Sequence, residues 1–287
     1  MKKYKGGLVL AAALAAVVLL GRPAAPASVY HAPSKCTNSE SHPLCRGIQA
    51  HFNFEETTTV NTLMPRFDTF SLFSLHEAPG VGYVANGATA KCGSKAAVFF
   101  GTPSYGFRTE TDLMSGNDFT VAVWIYNLDT AGTANNERTL FSREYWQTIP
   151  AQRGNTILLH STGSVWQPAI WGFASVGSTA DAYTQATAIT PNAWHLLVFT
   201  SSTYQFGKNE FCISVDGAVP TCQANTYYHM YGGKFLDIGF HDGNPVGSQT
   251  MNPFHGYLDG LVFAARPWDQ FDIAAYYNSG TCKQPPF

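Results

Sequence analysis

Apolar and polar residues alternate along residues 47–55, where Ile48, Ala50, Phe52 and Phe54 interleave with Gln49, His51, Asn53 and Glu55. A period of two sends successive side chains to opposite faces, so this stretch reads as a half-buried strand. Residues 95–100 give a second strand. Residues 119–126, with Val121, Val123, Trp124, Ile125 and Tyr126, give a third of strong β character. Further strands are predicted at 139–143, 156–161, 166–173, 194–201, 210–215 and 236–240, with Gly, Asn, Ser and Pro between them. That rhythm indicates an antiparallel β-sandwich and leaves no domain-scale linker. Residues 57–90 are loop-rich, yet Phe67, Phe70, Leu72, Phe73 and Leu75 make them too apolar for a free linker, so they read as an insertion folded back on the sandwich.

The end of the chain carries the sharpest local signals. A β-branched and aromatic strand at 254–263 runs into a Pro267 turn, and a helix then starts with Asp269 as N-cap and Asp272 three residues on. The two carboxylates suit a capping box, and Trp268 and Ile273 are spaced to close as a hydrophobic staple. Gly280 is the predicted stop, and this is the only helix the pattern supports.

Lys2, Lys3 and Lys5 precede an apolar run from Leu8 to Leu20 and the small residues Ala25-Pro26-Ala27. Basic, apolar and small regions in that order read as a secretory signal over residues 1–27, too short to span a bilayer comfortably, with no membrane insertion after cleavage. Residues 28–46 then read as an irregular arm closed by its own disulfide, and 47–287 as one large β domain. Charged residues are 13% and the formal net charge is −2, so no basic face for nucleic acid is visible and partners are neutral, polar or protein.

The six cysteines of an exported chain suggest three disulfides. None of their spacings is a C-x2-C pair, which argues against zinc. Cys212 and Cys222 flank a hairpin centred on Asp216-Gly217, and a loop of Asp216 to Ala218 sets the two sulfurs face to face. Cys36 and Cys45 would close a short loop. Cys92 is left to meet Cys282 by elimination, which fits a fold whose first and last strands are neighbours.

Five motifs in order resemble the laminin-G-like domains of the concanavalin A-like superfamily. They are A-H-F-N-F-E-E from Ala50, F-T-V-A-V-W-I-Y from Phe119, W-H-L-L-V-F-T from Trp194, I-S-V-D-G from Ile213, and F-H-G-Y-L-D-G-L-V-F from Phe254. The resemblance implies a jelly-roll sandwich with one short C-terminal helix, framework positions for Trp124 and Trp194, and hydrogen-bonding roles for His195 and Asp259. These are framework motifs and leave the ligand open.

Catalytic patterns are sparse. Glu110-Thr111-Asp112 starts an E-x-D-x-x-E motif of the kind some glycoside hydrolases place on one strand face, but Ser115 stands where the last carboxylate would be. There is no G-x-S-x-G elbow, and the nine His are scattered. Asp242 and Asn244 sit in a polar turn that could supply two oxygen ligands to Ca2+, although Asp and Asn also dominate ordinary turns. Sugar rings stack their C–H faces on aromatic side chains, and Tyr145, Trp146, Trp166, Tyr228 and Tyr231 lie beside polar residues at or near predicted loops. The sequence thus points to a secreted or cell-surface, non-catalytic module that binds glycan or an extracellular protein. Its rivals are a structural or assembly subunit that self-associates through a low-charge sandwich, and a glycoside hydrolase or polysaccharide lyase with an unrecognised active site.

Overall fold

The computed structural model describes residues 48–52, 54, 66–67, 74–77, 83–84, 90–101, 106–109, 113–114, 118–130, 136–142, 155–172, 182–203, 209–224, 236–240 and 252–279. The strands are β1 Ile48–Phe52, β2 Arg66–Phe67, β3 Ser74–Glu77, β4 Tyr83–Val84, β5 Ala96–Phe100, β6 Phe107–Thr109, β7 Phe119–Asn127, β8 Glu137–Ser142 and β9 Asn155–Ser161. They continue as β10 Trp166–Gly172, β11 Ala182–Gln185, β12 Trp194–Thr203, β13 Asn209–Val215, β14 Thr221–Ala224, β15 Asp237–Ile238, β16 Asn252–Pro253 and β17 His255–Ala264. The helix α1, Gln270–Asn278, is the only one among the described residues.

The strands form two sheets. In the first the order is β14-β13-β12-β7-β17-β5-β4, with β1 also paired to β17; in the second it is β11-β10-β9-β8-β15-β6-β3-β2, with β16 beside β8. Among the described residues only the short β16–β8 pairing is parallel. The protein is therefore an antiparallel β-sandwich jelly roll with one short C-terminal helix.

Alternation on the long strands fills the space between the sheets. Val121, Val123 and Ile125 of β7, Leu197 and Phe199 of β12, and Phe211 and Ile213 of β13 meet Leu140, Phe141, Ile157, Leu159, Ile170 and Ile238 of the second sheet. Edge-on ring pairs bridge the layers, with Phe141 and Phe263 centroids 6.0 Å apart and Phe99 and Phe107 5.7 Å apart. Each such fully buried side chain contributes about 1.5–3 kcal/mol, so this layer dominates the stability of the sandwich.

The opposite face of the first sheet carries a second core. Ala122 and Trp124 of β7, Leu196 and Val198 of β12, and Val262 and Ala264 of β17 pack beneath Trp268, Ile273 and Tyr276. The helix is held there as the sequence implies. Asp269 accepts from the Phe271 and Asp272 N–H groups, and the Asp272 carboxylate accepts from the Asp269 N–H, closing the capping box. Trp268 and Ile273 are both buried at the staple positions. The preceding turn is tied to β7 through Thr120, whose hydroxyl donates to the Arg266 carbonyl and accepts from the Trp268 N–H. Gly280 lies outside the described residues.

β17 holds the first sheet together. On one side it runs along β7; on the other it pairs with β5 through residues 255–258 and with β1 through residues 261–264. Asp259 and Gly260 stand at the gap between those two neighbours, in a bulge. The fully buried Asp259 carboxylate fills the gap by accepting from the N–H groups of Lys91 and Cys92, 3.0 and 2.8 Å away, and of Gly260. The Tyr276 hydroxyl of α1 donates to the Gly260 carbonyl. The hydrogen-bonding role implied for Asp259 is thus concrete: it replaces a missing strand.

The structure departs from the pattern in several places. A register shift between Ile48 and Ala50 turns Ile48 toward the helix-side core, and His51, on the polar side of the alternation, is buried opposite Val262. Residues 57–90 contribute three short strands, β2 and β3 on the second sheet and β4 on the first. The strand predicted at 236–240 narrows to Asp237–Ile238, and β6, β11 and β16 are strands the pattern misses.

Candidate functional site

The hairpin β13–β14 shows how turn chemistry sets register. Asp216 and Gly217 both take left-handed backbone, with φ 52° and 73°, and the Ala218 N–H donates to the Val215 carbonyl. One further residue on the return arm brings Cys212 opposite Cys222, and the two are joined in a disulfide. Asp216 also reaches across to β12, where its carboxylate bonds His195 Nδ1 at 2.7 Å and accepts from the Leu196 N–H at 2.9 Å. The other ring nitrogen, Nε2, sits against Thr190. His195 is a framework hydrogen-bonding residue, locking the hairpin to β12.

Cys92 is also disulfide-bonded, and no cysteine is free among the described residues. Cys36, Cys45 and Cys282 lie outside them. Glu210, Cys212 and Cys222 are the one set of side chains there close enough to share a metal ion. The disulfide occupies both sulfurs, and only thiolate ligates metal well.

Of the sequence-predicted ligand aromatics, the structure describes Trp166 alone, and it corrects that assignment. Trp166 is 1% exposed in the inter-sheet core, and its indole N–H donates to the Asp129 carbonyl at 2.9 Å. Its position at the start of β10, just after a turn, suggested exposure; the register places it on the inward face opposite Ser161. Tyr145, Trp146, Tyr228 and Tyr231 lie outside the described residues, as do Asp242, Asn244, Glu110 and Asp112.

A different aromatic group emerges on the outer face of the first sheet. Trp194 of β12 lies opposite Tyr126 of β7, which lies opposite Tyr257 of β17. The three rings touch, with centroids 5.6 Å apart for Tyr126–Trp194, 5.7 Å for Tyr126–Tyr257 and 6.5 Å for Trp194–Tyr257. Interplanar angles of 65°, 77° and 48° make the surface faceted rather than flat. All three are half-buried, and neither phenol nor the indole N–H hydrogen-bonds within the described structure. Close strand contact underlies the cluster: a Cβ at Gly256, between His255 and Tyr257, would fall 2.1 Å from the Tyr126 carbonyl oxygen.

Sequence reasoning missed this group because Trp194 resembles a framework tryptophan. Trp124 is one, buried beneath α1 and stacked on Tyr277, with Lys91 Nζ 4.2 Å above its ring. Trp194, two residues before the Leu196 that packs under the helix, is only partly buried and packs at the rim of the same core. The signal available was its pairing with Tyr126 and Tyr257 on one face.

One end of the group borders a polar cluster. His255, two residues before Tyr257, bonds Asp129 at 2.9 Å, and Asp129 also pairs with Arg138 of the second sheet. Phe100, opposite His255, is half exposed. The arrangement offers C–H-stacking rings, unpaired phenol and indole donors, and a charged border. Other acidic groups serve the framework: Asp237 pairs with Arg108, Asp272 with Arg266, and Asp118 binds Thr203.

No protein-family model matches the chain, and no curated protein matches it in sequence. Its fold is similar to domain 4 of AbnA, a GH43 extracellular arabinanase from Geobacillus stearothermophilus solved in complex with arabinotriose, with a TM-score of 0.52 and 17% identity over 79% of this chain and 97% of that one. It is also similar to the binding domain of botulinum neurotoxin DC in complex with rat synaptotagmin II, at a TM-score of 0.58 and 11% identity over 82% of this chain and 52% of that one. The same domain in complex with SialylT aligns at 0.55 and 12%, over 82% and 51%. The chain spans about half the length of the neurotoxin binding domains. At these identities the likeness is one of fold, and it places the protein among β-sandwich domains.

Proposed function

We propose that the protein is a secreted, non-catalytic binding domain of the laminin-G-like kind that takes glycan on the outer face of its first sheet, at Tyr126, Trp194 and Tyr257. The observation that carries this reading is a contiguous set of three partly buried rings whose polar tips have no partner within the described structure. A sugar supplies what such a surface lacks: C–H faces for the rings and hydroxyls for the phenols and the indole. The neighbouring folds solved with arabinotriose and with SialylT support the ligand class. The disulfide between Cys212 and Cys222 supports an oxidising, extracellular setting, and no helix among the described residues is long and apolar enough to cross a membrane.

A glycan array probed with the purified chain, with and without calcium, tests the reading. Binding that is weakened by Trp194→Ala supports it. Binding that survives Trp194→Ala but is lost in Trp146→Ala or Tyr228→Ala moves the site to the loop aromatics. Loss on chelation, reproduced by Asp242→Ala, assigns Ca2+ to the Asp242 and Asn244 turn.

A further inference from the structure

Among the described residues strand β14 closes one side of the first sheet, and all four of its residues, Thr221, Cys222, Gln223 and Ala224, are exposed. Edge strands present unpaired backbone groups, and proteins usually blunt them with charge, proline or a bulge. β14 has none of these within its length, and its pairing to β13 is regular.

The direction of its free backbone groups follows from the ladder. In an antiparallel pair, directly opposed residues alternate between hydrogen-bonded pairs, with Cα atoms about 5.5 Å apart, and closer pairs without those bonds, near 4.5 Å. The Cys212 and Cys222 Cα atoms are 4.0 Å apart, which marks the closer kind. The hydrogen-bonded pairs are then Ile213 with Thr221 and Phe211 with Gln223. The N–H and C=O groups of Cys222 and Ala224 therefore point away from β13, along the open edge. Pro220, the next position of the same parity, has no N–H and ends the row of donors.

We infer that this edge pairs with β14 of a second copy, antiparallel about a two-fold axis at Gln223. In that register Cys222 of one copy opposes Ala224 of the other, and both outward residues exchange N–H···O=C bonds with their counterparts. The edge is self-complementary because its two donors and two acceptors are symmetric about Gln223. It is also neutral, so a like copy meets no charge repulsion. Small side chains flank the axis on one face, and the two Gln223 amides meet across it on the other. The disulfide holds β14 extended and in fixed register, so little ordering is required on association. The paired first sheets become one continuous sheet, and the aromatic face of Tyr126, Trp194 and Tyr257 is presented twice.

Sedimentation velocity on the full chain, at concentrations up to roughly 100 μM, tests this directly. A concentration-dependent monomer–dimer equilibrium is expected. Ala224→Pro removes an outward donor and leaves the β13 ladder whole, so it should weaken the dimer about tenfold or more, with circular dichroism unchanged. Gln223→Lys places like charges across the axis and should also give monomer, while an equimolar mixture of Gln223→Lys and Gln223→Glu should dimerise again. A wild-type chain that stays monomeric throughout overturns the inference. So does association that Ala224→Pro and Gln223→Lys leave intact, or a charge-swapped mixture that stays monomeric. Glycan binding by the monomer is unaffected by either result, so this reading and the glycan reading fail separately.

Discussion

The outer face of the first sheet has two regions built on the same three strands. Under α1, Trp124, Leu196 and Val262 are buried with Trp268, Ile273 and Tyr276. Two residues on along β7, two back along β12 and five back along β17, Tyr126, Trp194 and Tyr257 are only partly buried, with Trp194 at the rim of the helix-side core. Both regions are aromatic and come from the same alternation of side chains. The difference is one short helix, placed by a capping box and a staple. What the helix covers serves stability, and what it leaves uncovered is available to a ligand.

That division should be broken most severely at the staple. Trp268→Ala empties a buried indole site between helix and sheet and is expected to cost about 3–5 kcal/mol, measured by denaturant unfolding. Trp194→Ala, at the partly buried rim of that core, should cost less than Trp268→Ala. Comparable losses from the two would erase the distinction between the regions.

A second difference is one of pH. His51 lies buried opposite Val262, and burial lowers its pKa from 6.5 to about 4. The folded chain thus binds fewer protons than the unfolded chain between those values. His51 costs nothing above about pH 6.5, and stability falls as the pH drops toward 4, by roughly 3 kcal/mol in all. His51→Leu should flatten most of that slope in unfolding measured across pH 4–7. A slope of unchanged size would place the titrating group elsewhere; His160, whose pKa burial also lowers, accounts for a residue of it.

The smallest expected stability effect is at the helix start. Asp269→Ala removes the acceptor for two backbone N–H groups and should cost about 1 kcal/mol, read as a lower melting temperature.

Much of this was legible in the chain. β7, β12 and β17 follow from alternation among β-branched and aromatic residues, α1 from the spacing of Asp269 and Asp272, and the Cys212–Cys222 pairing from the Asp216-Gly217 turn. Each is a local signal. Misassigned features depend on what a third element covers. Alternation puts Trp166 on one of two faces without saying that this face is inward, and gives no hint that Asp129 will take its N–H. It groups His51 with polar residues although that side of β1 is packed. It also cannot tell Trp124 from Trp194, because only the length and placement of α1 separate them. β2, β3 and β4 are too short to show a period.

The central claim is that the uncovered aromatic face binds glycan. Calorimetric titration of a glycan identified on the array, against wild-type chain and Trp194→Ala, tests it most directly. The account predicts a loss of about 1–3 kcal/mol in binding, roughly tenfold to a hundredfold in Kd, with the fold intact by circular dichroism. Equal affinity in the two proteins would contradict it.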